Sequence, residues 1–162
     1  LHVPERVVQD VHSYLDQRRL LTTQLEIGEP DYKFVSVHIR LVADPRANAD
    51  TVQARVIEQL NRFLHPVFGG PAGEGWPFRR SLTLADIYAQ VGTVKGVAFL
   101  LDAKMLISTV LDPHEGIMGP EAAVSNAEGI RLEEHQLFCS RQHVITVVPM
   151  SMVGAEFNED GD

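Results

Sequence analysis

The stretch "YKFVSVHIRLVAD", residues 32–44, decides the fold class. Val35, Val37, Ile39 and Leu41 share one parity, while Ser36, His38 and Arg40 share the other. Side chains of a strand point alternately to its two faces, so this pattern predicts a strand with one buried and one wetter face. Upstream, "TTQLEIGEP" alternates at Leu25 and Ile27 before a run of turn residues. The two segments read as an antiparallel hairpin joined through "GEPD".

Helical spacing flanks this strand. "PERVVQDVHSYLDQRRLL", residues 4–21, carries Pro4 and Glu5 where a helix start favours them, an apolar stripe of Val7, Val8, Val11 and Leu15, and Arg18 and Arg19 at its end. "DPRANADTVQARVIEQLNRFLHP" predicts a second helix, capped by Asn48 or Asp50 and ended by Pro66. Its inner face is Val52, Val56, Ile57, Leu60, Phe63 and Leu64. "SLTLADIYAQVG" predicts a third, with Thr83 and Asp86 as a capping box and Leu84, Ile87, Tyr88 and Val91 on one face. "VAFLLDAKMLISTVL" reads as one long strand or two short ones, residues 112–129 as a loop, and "HVITVV" as a closing strand. Blocks of helices and strands in the order α-β-β-α-α-β-β predict an α+β fold, a small antiparallel or mixed sheet with helices packed on one face. One domain is expected over residues 1–150, followed by an acidic tail over 151–162.

Composition narrows the function. With 162 residues, 44% of them hydrophobic, the chain is long enough to bury a core. A net charge of −8 argues against a broad nucleic-acid or anionic-membrane surface. The apolar runs are too short to span a bilayer, and the start has no apolar core of a signal peptide. A single cysteine, Cys139, rules out an internal disulfide framework and fits a reducing compartment. The first residue is Leu1, from which an excerpt of a longer protein is expected.

No motif supplies an active site. "HPVFGGPAGEGWPFRR", residues 65–80, is rich in glycine, yet it lacks the Lys-Ser/Thr of a phosphate-binding loop and follows a helix instead of a strand. Trp76 and Phe78 read as aromatic anchors of that loop. His135, Cys139 and His143 recur every four residues, but the spacing fits no standard zinc site, and a half-buried cysteine beside surface histidines is the plainer reading. Asp112, His114 and Glu115 form a cluster of the kind that loops carry for solvation. No catalytic residue, cofactor site or metal site is assigned.

Several segments, taken in order, carry a resemblance. The run from Leu64 to Phe78, "LHPVFGGPAGEGWPF", is the most specific; "YLDQRRLLTTQLEI" and the strand precede it, and "LADIYAQVGTVKGV" follows. This arrangement resembles the C-terminal part of the baseplate J-like proteins, wedge components of contractile-tailed phages and phage-tail-like contractile injection systems. It covers residues 4–111 and, more loosely, 130–148. Arg79 departs from it, standing where the family form has glycine, the residue that tolerates a left-handed backbone.

The resemblance implies a non-enzymatic wedge domain. Six such wedges surround the tail axis in a hetero-oligomeric assembly, contacting neighbouring wedge proteins, the hub or spike, and the sheath. The particle is put together in the bacterial cytoplasm, and no nucleic acid is bound. On this reading Trp76, Pro77 and Phe78 brace the loop, while Arg79, Arg80, Arg18 and Arg19 are the expected partner contacts. The alternative from another class is a small-molecule-binding regulatory module or minor enzyme with its pocket between the "GWPF" loop and the sheet.

Overall fold

A computed structural model describes residues 3–28, 30–77, 79–112, 117–124 and 129–150. Phe78, His114, Glu115 and the acidic tail lie outside them. The fold is α+β, with elements α1 (Glu5–Asp16), β1 (Asp31–Ala43), α2 (Ala49–Phe63), α3 (Leu84–Gly92), β2 (Val97–Asp112), β3 (Ile117–Met118), β4 (Ala122–Ala123), β5 (Gln136–Ser140) and β6 (Val144–Val148). No helix among the described residues is long and apolar enough to cross a membrane.

The decisive stretch forms β1, and β1 is the middle of a mixed sheet. On one side β2 runs antiparallel to it from Lys33↔Thr109 to Ala43↔Val97. On the other side lie β5 and then β6, the latter parallel from His38↔Val144 to Val42↔Val148. Both edges of β1 are thus occupied, which leaves no ladder for residues 22–27. They form no strand, the expected hairpin is absent, and the order among the described residues is α-β-α-α followed by five strands. Two of those five, β3 and β4, lie within the stretch expected to be a loop and pair with β2.

The register explains the core. Val37 lies opposite Met105 and Ile39 opposite Ala103, so up to the register shift after Arg40 the odd positions of both strands face the same side. There they meet Val52, Val56, Leu60 and Phe63 of α2 and Leu84, Ile87 and Val91 of α3. The even positions pair His38 with Lys104 and Arg40 with Asp102 across the other face. Ser36 on that face is only 1% exposed, and its hydroxyl is satisfied by donating to the Glu121 carboxylate at 2.7 Å. Both helix starts follow the sequence. Asn48 accepts from the Thr51 N–H, and Thr83 and Asp86 close a reciprocal capping box.

The chain divides into two compact units, Leu1–Asp31 and Tyr32–Asp162, where one domain over 1–150 is expected from the sequence. The helix α1 of the first unit is strongly amphipathic, yet among the described residues none of its own is buried. It also stops at Asp16 instead of running through Leu21, with the Arg18 and Arg19 N–H groups both donating to the Leu15 carbonyl.

Candidate functional site

The loop that follows Leu64 is tied down by contacts that start at the end of α2. Past Leu64 the chain folds back on the helix, with the Gly69 N–H donating to His65 O at 2.9 Å and the Gly70 N–H to Phe63 O at 2.8 Å. A β-carbon on Gly69 would sit 2.3 Å from Phe63 O and 2.4 Å from His65 O, so only glycine allows this close return. The His65 ring completes the turn. Its Nδ1 accepts from the Val67 and Phe68 N–H groups at 3.1 and 3.2 Å, and its ring stacks on Phe68. Val67 and Phe68 are thereby held at the loop tip, Phe68 68% exposed.

Trp76 points the other way. It is 5% exposed and takes Phe63 and Phe138 in edge-to-face contacts, with centroids 5.3 and 5.0 Å away. Its indole N–H donates to Arg80 O at 2.7 Å, which satisfies the buried polar handle. Trp76 therefore braces the loop inside its own domain. Pro77 is exposed beside it.

The four arginines expected to meet partners all have partners within the chain. Arg18 donates to Tyr14 O at 2.8 Å and lies over the Tyr14 ring; Arg19 binds Asp16 and Thr23 O, each at 2.6 Å. Arg19's hydrogen bond and charge hold the Asp16 carboxyl below the usual carboxylate range. Arg80 pairs with Asp86 at 2.9 Å. Burial works against the Asp86 charge, but hydrogen bonds from Thr83 and Arg80 outweigh it and keep that carboxyl low.

Arg79 pairs with Glu134 and adopts φ 62°, so the left-handed turn survives without glycine. An arginine in that conformation carries roughly 1 kcal/mol of steric cost, and its ion pair is mostly exposed and contributes little. Arg79→Gly is therefore expected to raise stability by up to about 1 kcal/mol. Thermal unfolding of the two proteins checks this; a lowered melting temperature would show that the ion pair outweighs the strain.

The His135–Cys139–His143 series does not converge. His135 is exposed, Cys139 is half-buried in β5, and His143 is 7% exposed instead of lying on the surface. Among the described residues no three histidine, cysteine or acidic side chains are placed to hold a metal. Burial pushes the Cys139 thiol up, away from the thiolate a ligand or nucleophile needs.

His143 instead belongs to a polar chain that the sequence reading misses. Its Nδ1 accepts from the Val37 N–H at 3.1 Å, its Nε2 lies 2.9 Å from Ser140 Oγ, and Ser140 Oγ donates to Asn61 Oδ1 at 2.5 Å. A serine beside a histidine suggests a nucleophile and its base, but the pairing forbids that. With Nδ1 accepting, the ring proton sits on Nε2 and is donated to Ser140, so Nε2 has no lone pair with which to activate the hydroxyl. The only sequence signal for this role is a histidine set directly before the β-branched run of β6.

Two hollows remain. One of about 460 Å³ lies within the first unit and is almost wholly apolar, lined by Val3, Val7, Val8, Val11, Ile27 and Gly28 with Glu5 at its rim. The other, about 320 Å³, is a polar groove between α2 and the end of α3, where Arg55, Glu58, Arg62 and Lys95 converge. Arg55 there is tied to Lys95 O at 3.2 Å. Neither any protein-family model nor any curated protein matches the chain.

Proposed function

We propose that this chain is a non-enzymatic assembly domain, a wedge component in the baseplate of a contractile phage tail or a phage-tail-like injection system. Its work is protein–protein contact with neighbouring wedges, the hub or spike, and the sheath, in a six-fold assembly. The resemblance over residues 64–78 supports the choice of machine. The observation that carries the contact role is α1: Val7 and Val11 of its apolar stripe are 46% and 40% exposed, as isolated surface helices avoid and docking helices require. The loop supports it too, since a tip fixed in advance loses little freedom on binding.

The test uses contractile particles purified from cells that make the protein. Mass spectrometry is expected to find the chain in them at six copies per baseplate. A Val7→Glu/Val11→Glu variant is expected to melt like the wild type, because surface substitutions change stability by only about 0.5 kcal/mol, and to be missing from the particles. Particles without the wild-type chain would overturn the reading. Normal incorporation of the variant would remove α1 as the contact.

A further inference from the structure

β1 changes neighbours midway along one edge. β5 ends at Ser140, β6 begins at Val144, and the sheet would have a gap between them. The Arg141 N–H donates to Val35 O at 3.0 Å, and the next free donor of β1, the Val37 N–H, is met by the His143 ring nitrogen instead of a carbonyl. A side chain thus stands in for one rung of the ladder. Through Ser140 the same ring is tied to Asn61 on α2, the helix that packs on β6.

We propose that His143 is an acid-operated latch: its neutral ring closes the sheet between β5 and β6, and protonation releases β6 from the edge of β1. The proton comes from solvent and takes the Nδ1 lone pair. Nδ1–H then faces the Val37 N–H, donor against donor, and the rung is lost together with the entry point of β6. Burial and a neighbouring histidine both disfavour the new charge. β1 presents His38, with Lys104 opposite it on β2; α2 presents the neutral Asn61. Arg141, on the same connection, is occupied by Ser108 and Glu121.

Burial, with His38 as the lesser cause, lowers the ring from its ordinary 6.5 to about 4. The sign follows from proton counting. Between those values the released form binds the proton and the latched form does not, so the latch is at full strength above pH 6.5. It weakens as the pH falls and is spent on passing through about 4. The ratio of the two constants sets a loss on the order of 300-fold in the closing equilibrium. The inference does not depend on the proposed function.

Amide hydrogen exchange on the whole chain, with rates normalised for pH, tests it. Protection of Val37 and of residues 145–148 is expected to fall by about two orders of magnitude between pH 6.5 and 4, with α3 and the β1–β2 pairing still protected. His143→Asn places an untitratable oxygen near the Nδ1 position and is expected to abolish that pH dependence. Imidazole nitrogen signals of the wild type provide a readout independent of any variant; the latch requires the Nε2–H form and titration near pH 4. Titration near 6.5 with β6 still protected would overturn the proposal, as would protection lost equally across the whole sheet.

Discussion

Trp76→Ala is expected to destabilise the second unit by about 3–5 kcal/mol, the cost of truncating a core aromatic. Three losses combine. The ring leaves a void between Phe63 and Phe138, two favourable edge-to-face contacts vanish, and Arg80 O loses its donor. Those partners come from α2, β5 and the loop itself, so the void opens where three segments meet. Equilibrium unfolding in denaturant measures the effect as a lowered midpoint at unchanged slope. Unchanged stability would mean that the indole does not brace the loop from within.

Gly69→Ala is expected to cost about 3 kcal/mol, at the upper end for forcing atoms into filled space. The added carbon meets Phe63 O, His65 O and His65 N, the last at 2.7 Å. All three are backbone atoms, so relief requires moving the end of α2 and breaking the hydrogen bonds that fold the loop back. Gly92→Ala is the matched control. A β-carbon there meets nothing within 4 Å, and the residue lies in α3, where alanine is favoured over glycine. Equal effects of the two substitutions, read by the same denaturant titration, would show that crowding at Gly69 is relieved at little cost.

Local chemistry was legible in the sequence wherever it was decided locally. The alternation of Val35 to Leu41 locates β1, Thr83 and Asp86 mark their helix start, and of the two candidate caps Asn48 and Asp50 the first is the one used, because a cap satisfies N–H groups only a few residues away. Leu25 and Ile27 alternate just as a strand does, but a strand needs a free neighbour, and β1 had none to offer. The direction of Trp76 depends on Phe138, sixty-two residues later, and on a strand whose "FCSRQH" end resembles a turn. The sequence places His143 on the surface because nothing near it in sequence shows that it faces the Val37 amide. Periodicity reports the α1 stripe; whether its own unit buries it is a matter of packing that periodicity does not report.

The central position of β1 has a consequence for how the protein is made. During synthesis the strand leaves the ribosome long before either of its neighbours exists: β2 starts at Val97, and β5 and β6 start at Gln136 and Val144. At translation speeds of about 5–20 residues per second, its two edges wait for several seconds. A nascent chain in that interval exposes a β-branched segment with every backbone donor and acceptor on offer, the state most open to pairing with another nascent chain. The helix α2, complete by Phe63, is the first element able to cover one face of that segment, and until β2 arrives it is the main protection the growing chain has.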